Sequence, residues 1–206
     1  MKIKTSLTIL IGCFAIFLFI MLPIFLSIES DKKKYVESFK GSEFSLKDMN
    51  NNIITEKSFE GSLTAIFFGF TNCPDICPMH LSVLAGAYNN LPVNMQRDTK
   101  IIFVSAEPER DKEKISSWTQ QFHKDFIGVT GNEKNLTAFQ NALKIPAAVL
   151  EKESTNSENY AVSHASWITV FTKDNLAHFI YPLGITQKEW VTDLEIIHKN
   201  KWEANK

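Results

Sequence analysis

The chain has 206 residues, 44% of them hydrophobic, and a formal net charge of -1. Its only arginines are Arg97 and Arg110 and its lysines are scattered, so the composition excludes the basic footprint of a nucleic-acid binder. The length suits one domain of ordinary size plus an appendage.

The appendage comes first. No charge occurs from Thr5 to Ile28, and most of those positions are Leu, Ile or Phe. As a helix this segment spans roughly 36 Å, enough to cross the hydrocarbon core of a bilayer. It is longer than the ~7–15 apolar residues of a cleaved signal peptide, and no small-residue cleavage site stands near its end. Leu10-Ile11-Gly12-Cys13 looks like a lipobox, but the apolar run continues well past Cys13. The expectation is therefore a single N-terminal transmembrane helix, in which Cys13 is simply an apolar residue and Pro23 is placed to introduce a kink. Residues 1–4 form a short tail, 5–28 the anchor, 29–40 a lysine-rich tether and 41–206 the globular domain.

Lys2 and Lys4 precede the span, and Lys32, Lys33 and Lys34 follow it. A count of basic residues would leave the domain in the cytoplasm. The margin is about one charge once the N-terminal amine is included, so the cysteine chemistry below decides the orientation instead. No Arg-rich presequence precedes the anchor. The expected location is the bacterial inner membrane, single-pass, with the globular domain in the periplasm.

Within the domain, Phe44-Ser45-Leu46 and Ile53-Ile54-Thr55 flank the turn Asp48-Met49-Asn50-Asn51-Asn52 and read as a β-hairpin. Leu63 to Phe70 is a continuous apolar run bounded by Gly61 and Thr71, the pattern of a buried central strand. Pro78 suits the first turn of a helix running to about Asn90. Ile101 to Ser105 is a second buried strand. Ile115, Trp118 and Phe122 recur at helical spacing. Phe126 to Thr130 is a third strand. Leu136, Phe139 and Leu143 mark a helix that ends before Pro146.

Ala147 to Asn159 is polar and loop-like. Trp167 to Phe171 and Ala177 to Ile180 flank the turn Lys173-Asp174-Asn175 as a second hairpin. Thr186-Gln187-Lys188-Glu189 is a capping box ahead of an apolar face carrying Trp190, Leu194 and Ile197. Strands alternating with helices predict an α/β fold, a mixed sheet flanked by helices. Trp118, Trp167 and Trp190 are read as core. There is no internal repeat.

The chemistry is concentrated in Thr71-Asn72-Cys73-Pro74-Asp75-Ile76-Cys77-Pro78, straight after the first central strand. Open α/β sheets place their sites at such strand ends. On a helix, positions i and i+4 share a face. Two soft sulfurs so placed can close a disulfide or hold a thiophilic metal ion. The helix N-terminus is expected to lower the thiol pKa and raise the thiolate fraction.

The motif Phe67-Phe68-Gly69-Phe70-Thr71-Asn72-Cys73-Pro74-Asp75-Ile76-Cys77-Pro78 resembles the Sco/SenC family of thioredoxin-fold proteins, which handle copper for cytochrome c oxidase assembly. Val104-Ser105-Ala106-Glu107-Pro108-Glu109-Arg110-Asp111 and Tyr160-Ala161-Val162-Ser163-His164 support the likeness, which covers Phe44 to the C-terminus. The resemblance implies a thioredoxin-like sheet with copper bound by Cys73, Cys77 and His164. It implies delivery to the dinuclear copper site of cytochrome c oxidase subunit II, with other periplasmic copper carriers or thiol reductants as further partners. The chain departs from the family pattern at Ser163, Ala165, Glu107 and His80, so the ligands survive while their supports change.

The physical case is independent. Cu(I) is soft and favours thiolates, with an imidazole to complete a three-coordinate site. Two thiolates, a neutral imidazole and Cu(I) sum to one negative charge, which a helix N-terminus partly offsets. The competing function is a thiol–disulfide oxidoreductase using Cys73 and Cys77 as a redox pair, although such pairs are normally one residue tighter. A zinc site of Cys73, Cys77 and His80 lacks a fourth ligand nearby. The plain expectation is a solvated His80, a core-facing Met79 and an exposed Asp75.

Overall fold

In chain order the strands are β1 (Lys34–Phe39), β2 (Leu46–Asp48), β3 (Ile53–Ile54), β4 (Leu63–Gly69), β5 (Thr99–Ser105), β6 (Ile127–Thr130), β7 (Val149–Glu151), β8 (Ala161–Ser163), β9 (Ile168–Phe171) and β10 (Ala177–Tyr181). The α-helices are α1 (Ile76–Asn89), α2 (Val93–Asp98), α3 (Pro108–Asp111), α4 (Ile115–Gln120), α5 (Glu133–Ala142) and α6 (Gln187–Lys199). These belong to a computed structural model that describes residues 34–39, 45–48, 52–146, 149–151 and 161–200. The expected anchor at 5–28, with Cys13, lies outside the described residues. No helix among the described residues is long and apolar enough to cross a membrane.

The run from Leu63 makes the middle of the sheet. All seven residues of β4 are buried, as a strand covered on both faces requires. Parallel β5 lies on one side of it, in register Phe67 to Phe103, and antiparallel β9 on the other, in register Phe67 to Ile168. The full order is β1-β10-β9-β4-β5-β6-β2-β3. The first hairpin forms as expected, Leu46 opposite Ile54, with Asn52 N–H and Nδ2 each donating to the Asp48 carboxylate at 2.8 Å.

Alternation along β4 divides the core in two. Leu63, Ala65 and Phe67 pack with α1 and α6 through Leu81, Leu84, Trp190 and Leu194. Ile66 and Phe68 pack with α5 through Leu136 and Phe139. Trp190 is 1% exposed and lies against Tyr181 with ring centroids 4.1 Å apart. Trp118 and Trp167 are partly buried against the two cores. The capping box also forms: Thr186 N–H donates to Glu189 Oε2 at 2.7 Å, and Glu189 N–H donates to Thr186 Oγ1 at 3.3 Å.

Three features depart from the sequence reading. Lys34–Phe39, expected within the tether, is a strand beside β10. The stretch 147–159, expected as loop, contributes β7, which pairs with β8 as Val149 to Ser163. Helices α2 and α3 follow Pro92 and begin at Pro108 respectively; they are too short for a helical period to reveal.

Candidate metal centre

β4 ends at Gly69, whose carbonyl accepts from Ala106 N–H at 2.6 Å. The chain then turns, Cys73 N–H donating to the Phe70 carbonyl at 3.2 Å, and enters α1. Asp111, fully buried, fixes this turn. Its carboxylate accepts from Thr71 N–H at 3.1 Å, from Thr71 Oγ1 at 2.6 Å and from Ser105 Oγ at 2.8 Å. The ends of β4 and β5 are thereby held to α3. Lys114 Nζ donates to Asn72 Oδ1 at 2.7 Å on the outside of the same turn.

Cys77 on the first turn of α1 points down onto the sheet and is fully buried. Its sulfur occupies the space above Gly69, where an added Cβ would meet it at 2.6 Å. Cys73 is partly exposed, and its Sγ accepts from Cys77 N–H at 3.5 Å. His164 arrives from the opposite direction, immediately after β8. Its ring stands edge-on to Phe70 at 5.6 Å and lies 6.3 Å from Phe67. His164 Nδ1 is 2.9 Å from the Ala165 carbonyl, which only accepts, so Nδ1 carries the proton. Nε2 keeps its lone pair and sits 3.7 Å from Cys77 Sγ.

The three ligand atoms of Cys73, Cys77 and His164 all lie within 4.8 Å of one another. The fold thus gathers the three residues that the sequence reading singled out, one of them 87 positions from its partner. Burial pushes the His164 imidazole below its ordinary value, with the Ala165 and Phe68 backbone pulling the other way, so the ring is neutral and ready to ligate at neutral pH.

The thiols depart from expectation. Burial pushes the Cys77 thiol well above the ordinary thiol range, and a hydrogen bond with the Phe70 backbone offsets only part of it. Desolvation outweighs the helix N-terminus here, because Cys77 lies beneath α1 rather than in solvent at its end. The expected thiolate enrichment is therefore reversed at Cys77. A bound cation would supply the missing stabilisation.

Two neighbours also exchange places. Met79, expected to face the core, is 41% exposed; His80, expected in solvent, is 6% exposed. On the helix, Met79 lies on the far side from Cys77 whereas His80 shares its buried face. Asp75 is exposed as expected. The departure at Ala165 leaves the His164 support intact, since it is the backbone carbonyl that accepts. The side chain of Ser163 lies outside the described residues.

Thr71, Ser105 and Asp111 stand within the motifs named above, where nothing in the sequence shows their task. A polar residue buried at strand ends leaves no periodic signal. Gly69 likewise lies in the motif, and only the fold shows that nothing larger than hydrogen fits beneath the Cys77 sulfur.

The family profile described as SCO1/SenC matches residues 32–198. The chain belongs to the SCO1/SenC family. The SCO2-like protein of Rickettsia prowazekii is 30% identical over 199 residues, covering 91% of this chain and 92% of that one. The crystal structure of Arabidopsis thaliana ScoI with copper bound is 27% identical, covers 77% of this chain and 98% of its own, and superposes with a TM-score of 0.69. BsSco, described as a member of the Sco family of cytochrome c oxidase assembly proteins with a disulfide switch, is 18% identical, covers 82% of this chain and 98% of its own, and shares the fold at a TM-score of 0.57. The mixed sheet with helices on both faces is the thioredoxin-like arrangement of this family.

Proposed function

We propose that this chain is a membrane-anchored copper metallochaperone, binding one Cu(I) through Cys73, Cys77 and His164 and handing it to the dinuclear copper site of cytochrome c oxidase subunit II. The observation that carries the reading is the convergence of two sulfurs and one unprotonated imidazole nitrogen within 4.8 Å. The donor set fits the ion: two soft sulfurs and a borderline nitrogen suit Cu(I) and leave out the fourth ligand a structural zinc site needs. Three donors rather than four leave the metal open to an incoming ligand, which transfer to a partner requires. Partly exposed Cys73 is the donor that an acceptor protein reaches first. Residues 5–28 supply the anchor, and the domain works in the periplasm, where its acceptor's copper site is assembled.

An anaerobic Cu(I) titration of the reduced full-length chain, against a competing chelator, tests this. One tight equivalent is expected, weakened in His164→Ala by more than the roughly 10- to 100-fold that loss of an outer-shell partner costs. Binding that is weak and indifferent to His164 would sink the reading.

A second reading has its own observation. Cys73 is partly exposed and Cys77 is buried with its thiol unready to ionise, an asymmetry that suits a redox pair with one attacking and one resolving sulfur. On this reading the chain is a thiol–disulfide oxidoreductase that keeps target cysteines reduced. Reductase activity that survives His164→Ala but not Cys73→Ala would favour it. The roles are compatible, because loading copper requires reduced thiols.

A further inference from the structure

His80 has no part in the three-donor centre, yet its surroundings call for an explanation. It is 6% exposed, and its Nε2 is buried without a hydrogen-bond partner among the described residues. Its ring lies against Phe67, centroids 4.9 Å apart, and Phe67 in turn faces His164 at 6.3 Å. Burial lowers the pKa of the His80 imidazole, with the Ser166 backbone opposing the shift and His164 adding to it. A neutral imidazole keeps a lone pair on one ring nitrogen, which can serve as a donor to a metal.

An apolar side chain would serve packing better. Cys77, Leu81 and Leu84 are buried on the same face of α1, and a polar nitrogen placed among them without a partner is a cost that native structures seldom keep without a use. His80 follows Cys77 by one helical turn. A spare nitrogen donor therefore stands one helical turn from Cys77, with the Phe67 ring packed against both it and His164.

We propose that His80 is a second imidazole donor to copper, recruited when the bound ion is Cu(II). This rests on the copper reading above. Cu(I) is complete with two thiolates and one imidazole, whereas Cu(II) takes four donors in a tetragonal arrangement and favours nitrogen. His80 stands outside the 4.8 Å cluster, so it is not one of the three resident donors and joins them only by a shift of its ring. A three-donor site for the reduced ion and a fourth donor in reserve would let one centre hold copper in both oxidation states.

The test loads the full-length chain, His80→Leu and His164→Ala with one equivalent of Cu(II) and reads nitrogen couplings by electron paramagnetic resonance. Two coupled nitrogens are expected in the unaltered chain and one in each variant. Cu(II) affinity is expected to fall about tenfold or more in His80→Leu with Cu(I) affinity unchanged. The metal-free chains are melted alongside, to separate a loss of packing from the loss of a ligand. One coupled nitrogen in both the unaltered chain and His80→Leu would overturn the proposal and leave the three-donor centre standing. A lower melting temperature with an unchanged nitrogen count would reduce His80 to packing. Failure of all three chains to bind copper would overturn both this proposal and the copper reading.

Discussion

Gly69 shows how far the centre depends on single atoms. A Cβ there would lie 2.6 Å from the Cys77 sulfur and 2.6 Å from the Phe103 ring, neither of which has open space to retreat into. Gly69→Ala is expected to destabilise the fold by about 1–3 kcal/mol, the usual cost of overpacking a full core. It should also weaken Cu(I) binding, because the sulfur is the atom displaced. A denaturant midpoint and a chelator titration on the same preparation separate the two effects. The raised Cys77 thiol makes a second expectation at this scale. Copper must displace that proton, so Cu(I) affinity should climb by at least about tenfold per pH unit through the neutral range. His164, held low by burial, adds no slope above its own titration. A flat affinity from pH 6 to 8 would mean that Cys77 is not a ligand. At this scale the sequence was clear about the donors, because cysteine and histidine advertise their chemistry. It was silent on Gly69 and misjudged His80 and Met79, because burial on a helix depends on which face meets the sheet.

Among the elements, the joint between β4, β5 and α3 is made by Asp111. Its carboxylate accepts from two groups of Thr71 and from Ser105, and Asp111→Ala would orphan those buried donors. The expected loss is about 1–3 kcal/mol or more, with the Cys73 turn loosened in consequence. Asp111→Asn keeps an acceptor but removes the titration, which isolates the charge. Burial, the largest influence, raises the Asp111 carboxyl above its ordinary value, with the Thr71 and Ser105 hydrogen bonds opposing it. The folded chain therefore binds this proton more tightly than the unfolded chain does. That contribution is fully present below the ordinary carboxylate value and is lost as pH rises through the raised folded value. The stability of the original chain relative to Asp111→Asn should accordingly grow as pH is lowered from neutral toward about 4. Urea midpoints across that range provide the check. A difference that shrinks instead would mean that the three donors outweigh desolvation. The long elements were legible in the sequence because β4, β5, α1 and α6 each carry many residues of one pattern. Strands β7 and β8 were not, since three-residue strands are specified by their partner's backbone rather than by their own alternation.

For the molecule as a whole, the centre joins parts of the chain that are remote in sequence. Cys73 and Cys77 are local and remain near each other in an unfolded chain, whereas His164 reaches Cys77 across 87 positions only when the sheet has formed. Copper held by the cysteines alone would bind folded and unfolded chains with similar strength and would hardly move the melting temperature. Copper held by all three residues binds the folded chain preferentially. At free Cu(I) about 100 times the dissociation constant, that preference adds about 2.7 kcal/mol. For a domain of this size, such a gain raises the melting temperature by roughly 5–10 °C. An anaerobic thermal melt of the reduced chain with Cu(I) held by a buffering chelator should show this rise. In His164→Ala most of the rise should vanish even when the free Cu(I) level is increased to keep the cysteines loaded, because the remaining ligands no longer distinguish folded from unfolded chain. An equal rise in both chains would mean that the two sulfurs and the fold around them recognise the ion without the imidazole, and the distant histidine would lose its place as a ligand.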